Sequence, residues 1–206
     1  MSEYVLENYA YKDYIVEIWQ DPYHDDFNNP RSWCNVATMV CWHPDYVLGD
    51  VQLPTDSETI SEYIEEKCKE SVALPLYLID HSGIAMNTGG FSYCDPDGWD
   101  SGQVGFIYIT DEAAIEHGLQ DSTDDELREM MKIEVSSYSS YLEGDVIGYT
   151  ISYNGDIKES CGGFVGDYEH CKEEAEQVID WLVSSAEKES EARKYWESRD
   201  IVTVTT

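Results

Sequence analysis

Residues 144–160 read GDVIGYTISYNGDIKES, and this stretch decides the fold class. Asn154-Gly155 readily takes the positive φ angles of a type I′ turn, and β-branched and aromatic residues lie before it. The stretch therefore predicts an antiparallel hairpin, whose second strand continues into residues 161–165. A hairpin of this kind favours a mixed or antiparallel sheet.

Four further segments have the composition of strands, because they are apolar or alternate between apolar and polar residues. They are residues 13–20, 34–42, 74–80 and 104–110. Residues 81–103 are rich in Gly, Ser and Asp, which predicts a long ordered loop containing short strands. The segment 201–206 has the alternation of a terminal strand.

Between these strands lie residues that typically begin or end helices. Thr55 stands three residues before Glu58, a capping-box spacing that predicts a helix through about Lys69. Thr110 can cap a short helix that ends near Gly118. A second capping box at residues 123–126 begins an amphipathic helix. Its apolar side is Leu127, Met131, Val135, Tyr138 and Leu142.

Residues 167–197 predict the longest helix of the chain. Its predicted buried stripe is Ala175, Val178, Ile179, Leu182 and Ala186. Strands that alternate irregularly with helices predict an α+β fold, with a mixed or largely antiparallel sheet packed against three to four helices. Because no Pro-, Ser- or Gly-rich linker and no internal repeat divides the chain, residues 1–206 are expected to form a single domain.

Charge is the most unusual property of the sequence. Forty-three Asp and Glu stand against twelve Lys and Arg, a formal net charge of −31. No basic residue occurs between Lys69 and Arg128, where twelve acidic residues lie. Most of these carboxylates cannot be in salt bridges, so they face water or a cationic partner. Aromatic and aliphatic residues are nevertheless abundant enough for a folded core.

This charge restricts the classes of partner. Nucleic acid and anionic membranes are not expected to bind, because both would be repelled by the field that this charge produces. The first residues lack a basic segment followed by an apolar run, so no export signal is expected. The sequence therefore predicts a cytoplasmic protein whose natural complement is a strongly basic surface.

Acidic residues on the predicted helices have spacings of two to four residues. Because a helix rises about 1.5 Å per residue, such carboxylates are spaced comparably to the phosphates of DNA. For any one helix, a solvated surface explains such acidic residues without a function. Only the excess of acidic over basic residues in the whole chain favours a function. The candidate partner-binding residues are Glu58, Glu62, Glu65, Glu66, Asp124, Asp125, Glu126, Glu129, Glu169, Glu173, Glu174, Glu176 and Asp180.

Several segments resemble a family of acidic proteins from bacterial, archaeal, phage and plasmid genomes. The segments are RSWCNVATMVCWHPDYVLGD, LPLYLIDHSGI, GWDSGQVGFIYIT and YLEGDVIGYTI. The resemblance spans most of the chain, implies a mobile-element setting and supplies no catalytic residues. In charge, though not in motif, the chain also resembles DNA-mimic proteins that block restriction enzymes and CRISPR effectors.

These observations together lead to a functional hypothesis. We expect a non-enzymatic DNA-mimic inhibitor in the host cell cytosol, which occupies the nucleic-acid-binding groove of a host defence nuclease. The expected partner is a basic DNA- or RNA-binding host defence protein. A homodimer, which would lengthen the charged face, is compatible with the sequence.

An enzyme is the first alternative. His81 and Cys161 can be combined as base and thiol nucleophile of a cysteine-dependent hydrolase, with Asp100 orienting the imidazole. No family signature surrounds either residue, and dense negative charge raises the pKa of a thiol. A cysteine at a strand end is more often a packing residue, and a histidine in a loop is more often a hydrogen-bonded loop residue, than a member of a catalytic pair.

Two more alternatives need neither mimicry nor catalysis. A protein-interaction module without mimicry would bind through an aromatic patch drawn from Trp19, Trp33, Trp42 and Trp99, although buried tryptophans explain the same residues. A high-salt cytoplasm, where acidic surfaces keep proteins hydrated, would also explain the composition.

No metal or cofactor is expected. The six cysteines are scattered, and the Cys and His neighbours at 41–43 and 170–171 lack the spacing of a structural zinc site. Asp95, Asp97 and Asp100 superficially suggest a calcium loop, but their spacing does not match an EF-hand and a Pro-Asp-Gly turn explains them. Gly-rich phosphate-binding loops are absent from the sequence.

Overall fold

The structure is a computed structural model that describes residues 4–21, 27–68 and 71–199. In chain order the strands are β1 (Val5–Tyr11), β2 (Tyr14–Gln20), β3 (Thr38–Cys41), β4 (Val51–Gln52), β5 (Ser71–Asp80), β6 (Ile84–Asn87), β7 (Ser101–Thr110), β8 (Val146–Tyr153) and β9 (Asp156–Val165). The helices are α1 (Ser57–Lys67), α2 (Asp111–Glu116), α3 (Asp124–Leu142) and α4 (Tyr168–Glu197), besides a 3-10 turn at Pro30–Ser32.

The fold is α+β, as the sequence predicts, but its strands form two sheets where one was expected. The chain divides into two compact units. The terminal unit comprises Met1–Asp21 and Ile147–Thr206, and the central unit comprises Pro22–Val146. The assignment of residues 1–206 to a single domain stays a prediction.

The sheet of the terminal unit has the order β1-β2-β8-β9. β1 pairs antiparallel with β2, and β2 with β8. The predicted hairpin is confirmed: β8 and β9 are joined by Asn154 and Gly155, whose φ angles are 52° and 85°. Cys171, Ala175 and Ile179 of α4 pack against the side chains of β2 and β8 and form the core of this unit.

The sheet of the central unit has the order β4-β3-β7-β5-β6 and is mixed, because β3 and β4 run parallel while the other pairs are antiparallel. The predicted apolar side of α3 packs on it. A second cluster contains Val40, Phe106 and Tyr108 with Tyr63 of α1. Gly105 is required here, because an added Cβ would lie 2.1 Å from the Val40 carbonyl oxygen.

The strand predicted over 34–42 is shorter, and β3 begins only at Thr38. Residues before it are held by side chains instead of a neighbouring strand. The amide groups of Val36 and Ala37 donate to a carboxylate oxygen of Glu134 at 3.0 and 3.3 Å. Asn35 donates its side-chain amide to backbone oxygens of the 3-10 turn region. A side-chain acceptor therefore replaces the sheet ladder at this point.

Two predictions about the helices were wrong, one on the cap of α1 and one on the buried side of α4. Asp56, not Thr55, caps α1, because its carboxylate accepts from the Thr59 amide at 2.8 Å. Ala186 is exposed and not part of the buried stripe of α4, where the fully buried residues end at Ile179. The capping box of α3 is confirmed, with Thr123 and Glu126 bonded reciprocally.

Two strands, β1 and β4, were not predicted. β1 alternates half-buried and exposed residues along its length, a period-2 pattern that sequence reasoning could have found. β4 has only two residues, which is too short for any pattern. The strand predicted at 201–206 lies outside the described residues. Among the described residues, every helix is too short or too polar to span a membrane.

Candidate partner-binding surface

The long helix α4 carries the largest group of candidate acidic residues. It begins where the Asp167 side chain accepts from the His170 amide at 3.0 Å. Its first half packs on the sheet of the terminal unit, whereas every described residue from Ala186 to Arg199 is exposed. The helix therefore presents one buried side over its first half and only exposed side chains over its last turns.

Six carboxylates form a row along α4, which we call the acidic stripe. At about 100° per residue they fall within an arc of about 60°, and they span about 33 Å at 1.5 Å per residue. The stripe consists of Glu169, Glu173, Glu176, Asp180, Glu187 and Glu191. Four of the five acids predicted on this helix belong to it. Glu174 does not, because it lies about 140° around the helix from Glu169.

Sequence reasoning missed Glu187 and Glu191, although their spacing of four residues continues the row. Both side chains are exposed. The helical period alone would have identified them, since they follow Asp180 by seven and eleven residues on one helix. Their inclusion doubles the length of the row, from eleven to twenty-two residue steps.

The middle of the acidic stripe contacts other side chains. Lys12 donates to Asp180 at 2.8 Å, and this bond lowers the pKa of the Asp180 carboxyl. Glu176 is half-buried and lies near Tyr9. Burial first, and then the charge of Glu176, raises the pKa of Tyr9 to about 12. The negative charge is therefore partly compensated in the middle of the stripe. At its two ends, the exposed carboxylates are accessible to a partner: Glu169, Glu173, Glu187 and Glu191.

Four candidate acids lie on α1, in the central unit. Glu58, Glu62, Glu65 and Glu66 are all exposed. Helix geometry places them within an arc of about 100°. Glu66 pairs with its neighbour Lys67 at 2.8 Å, and this contact lowers the pKa of the Glu66 carboxyl. The structure thus brings these four together as a second, shorter acidic surface.

The candidate acids at the start of α3 are exposed but already bonded within the helix. Arg128 pairs with Asp124 and Asp125 at 3.4 and 3.1 Å. Glu126 accepts from the Thr123 amide and lies in the capping box, which lowers its carboxyl pKa. Glu129 pairs with Lys132 at 2.7 Å. This group stabilises its own helix terminus and offers less charge to a partner.

The residues of the hydrolase alternative fall in different units. In the central unit, His81 Nδ1 lies 2.8 Å from Asp100 Oδ2, so the expected orientation of the imidazole by Asp100 is present. Cys161 lies on β9 in the terminal unit. The hydrolase stays a prediction from the sequence.

The loop that superficially resembles a calcium site uses its first carboxylate internally. Asp95 accepts from the Trp99 and Asp100 amides at 3.1 and 3.0 Å and from the Ser101 hydroxyl at 2.8 Å. The bond from Ser101 is the largest cause that lowers the pKa of Asp95. In the described parts of the chain, no group of three or more His, Cys, Asp and Glu side chains is arranged to hold a metal ion.

The four tryptophans of the aromatic-patch alternative have different environments. Trp19 is half-buried over Gly148 and donates to Thr150 Oγ1 at 3.1 Å. Trp42 packs against the cluster that contains Phe106. Trp33 is 49% exposed and Trp99 is 87% exposed. Two of the four are therefore packing residues, and the other two present exposed rings in the central unit.

All six cysteines are free thiols, and their environments differ. Cys34, Cys94 and Cys161 are exposed, Cys68 is half-buried, and Cys41 and Cys171 are buried. Burial raises the pKa of both Cys41 and Cys171 to about 12. Each of these two residues lies in the core of a different unit.

We expect a thiol-specific reagent at neutral pH to label Cys34, Cys94 and Cys161 rapidly in the native protein. Cys41 and Cys171 should react only on unfolding, because the thiolate is the attacking species and both thiols are buried with raised pKa values. Peptide mass spectrometry after timed alkylation measures each site. Rapid native labelling of Cys41 or Cys171 would contradict the packing described above.

Comparisons with protein-family models, with curated proteins and with solved structures find no match to the chain. The resemblance to acidic proteins of mobile elements stays a prediction from its motifs.

Proposed function

We propose that the protein is a DNA-mimic inhibitor whose acidic stripe on α4 occupies the nucleic-acid-binding groove of a host defence nuclease in the cytosol. The observation that supports this proposal is the row of six carboxylates along one side of a single helix. Enzymes that cleave foreign DNA, such as restriction enzymes and CRISPR effectors, bind their substrates in grooves lined by basic residues.

The length of the stripe suits such a groove. It spans about 33 Å, close to the length of about 34 Å that one turn of B-DNA occupies. The six carboxylates are fewer than the phosphates that one strand presents over this length. Because the helix fixes their Cα positions, pairing with a basic groove orders only side chains and no backbone of this protein.

The rest of the chain adds to the attraction. A net charge of −31 gives a long-range field that steers a basic partner toward the protein and repels nucleic acid. The exposed acids of α1 extend this field over the central unit. The acidic stripe itself determines where the partner binds, since the attraction of charges more than about 8 Å away is largely screened at physiological salt.

A pull-down from host lysate tests the proposal if the captured protein is then challenged in two ways. We expect recovery of a DNA-binding protein at low salt, release by duplex DNA in competition, and loss of binding as salt is raised. Recovery of a partner that duplex DNA does not displace, or whose binding ignores salt, would contradict mimicry. An equally acidic protein without a helical row of carboxylates serves as the control for nonspecific capture.

A further inference from the structure

A second row of side chains on α4 is symmetric about Trp181, and we call it the dyad row. Its members are Glu174, Gln177, Trp181, Ser185 and Lys188. The spacings are three, four, four and three residues, a symmetry that helix geometry provides about any residue. What is particular to this row is an exposed tryptophan at its centre and opposite charges, Glu174 and Lys188, at its two ends. At about 100° per residue, all five fall within an arc of about 80°. The centre of this arc is about 110° around the helix from the acidic stripe.

Trp181 stands at the centre of the row with 66% of its surface exposed. It lies just beyond Ile179, the last fully buried residue of α4. The flanking Gln177 is exposed and Ser185 is half-buried. A large apolar side chain between two small or neutral polar ones forms a contact point without a charge of its own.

Lys188 is unusual among the basic residues of this acidic chain. Lys12, Arg31, Lys67, Arg128, Lys132, Lys158 and Lys172 each form an ion pair with a carboxylate. Within the described part of the chain, the basic residues that form none are Lys188, Arg193, Lys194 and Arg199. All four lie on or immediately after the last turns of α4, so this end of the helix holds the unpaired positive charge.

We propose that two copies of the chain associate through α4, with the helices antiparallel and the two-fold axis at Trp181. In such an interface residue i of one copy meets residue j of the other, and j meets i. The symmetric spacing then sets Trp181 against Trp181, Gln177 against Ser185, and Glu174 against Lys188 of the second copy. The last pair occurs twice, once on each side of the axis.

Charge selects the antiparallel arrangement. A parallel pair in register would set Glu174 against Glu174 and Lys188 against Lys188, two like-charge contacts that repel. The antiparallel pair converts both into attractions. A second copy fits because the same helix supplies both members of each ion pair in matching positions.

The dimer does not depend on mimicry, but it would change the arrangement of the acidic stripes. A two-fold axis perpendicular to the two helices keeps both stripes on the same side of the helix pair. Two rows of carboxylates would then run antiparallel beside each other. Duplex DNA presents its two phosphate rows in the same antiparallel relation.

Sedimentation equilibrium of the full chain with charge-swap variants tests the dimer. We expect the unaltered chain to be a dimer, and Lys188→Glu or Glu174→Lys to weaken association about 100-fold, because each change replaces two attractions by two repulsions. The double variant Glu174→Lys with Lys188→Glu should restore the dimer. Circular dichroism confirms that each variant keeps its helix content.

Lys194→Glu is the matched control, since it makes the same charge change about 140° around the helix from the centre of the dyad row. It should leave the dimer intact. Trp181→Ser should weaken it without changing charge. A monomeric unaltered chain, a double variant that does not recover, or equal losses from Lys188→Glu and Lys194→Glu would each overturn the proposal.

Discussion

Replacing Arg31 with methionine is expected to lower the free energy of unfolding by about 2–3 kcal/mol, less than for a fully buried pair, because it leaves the partly exposed carboxylates of Asp50 and Glu134 without the buried guanidinium that pairs with both. The Arg31 side chain is 3% exposed. It pairs with Asp50 at 2.5 Å and with Glu134 at 2.7 Å, and it donates to the Ala37 carbonyl oxygen at 2.7 Å. Urea denaturation of both proteins measures the difference.

The expected loss of stability is large because both carboxylates also accept hydrogen bonds from backbone amides. Asp50 accepts from the Met39 amide at 2.7 Å, and Glu134 accepts from the amides of Val36 and Ala37. Both carboxylates therefore position the backbone at the start of β3. Loss of Arg31 would leave them repelling each other at the point where β3 joins its sheet.

Arg128→Met is the control, because it also removes one arginine that bridges two carboxylates. The Arg128 side chain is 37% exposed and its partners are exposed residues of the same helix, so a loss below about 1 kcal/mol is expected. Equal losses from the two substitutions would show that burial of Arg31 contributes nothing to stability.

Neutralising the open ends of the acidic stripe is expected to reduce affinity for a basic partner about 100-fold. The variant changes Glu169, Glu173, Glu187 and Glu191 to Gln. Four exposed ion pairs of about 0.7 kcal/mol each correspond to a loss of this size. Titration of the captured partner against both proteins at one salt concentration measures the change. The dependence of affinity on salt should also become weaker.

The matched control is the change of Glu58, Glu62, Glu65 and Glu66 on α1 to Gln, which removes the same charge from the other unit. The affinity of this α1 variant for the partner should fall only slightly, because the long-range attraction that it loses is small at physiological salt. A larger loss from the α1 variant than from the α4 variant would place the binding surface on α1 and contradict the assignment to the stripe.

Local signals in the sequence predicted most elements of the fold. Asn154-Gly155 specified its turn without help from distant residues, and Thr123 with Glu126 specified the start of α3. Elements that depend on distant partners were harder to predict. The segment before β3 takes its conformation from Glu134, about a hundred residues away in sequence, and no local pattern indicates such a contact.

The surface was predictable to a different extent on each helix. On α4, the period of Glu169, Glu173, Glu176 and Asp180 was visible in the sequence and continues into Glu187. On α3, the compensation was visible too, since Arg128 follows Asp124 and Asp125 by four and three residues. What the sequence could not show is the contact of Lys12 with Asp180, because it joins a strand turn to a helix far along the chain.

The two buried thiols have a consequence for the cooperativity of unfolding. Cys41 lies in the core of the central unit and Cys171 in the core of the terminal unit. Each thiol therefore reports the opening of its own unit when alkylation is followed along a denaturant series. Coincident midpoints describe one cooperative transition, whereas separate midpoints describe two units that melt independently.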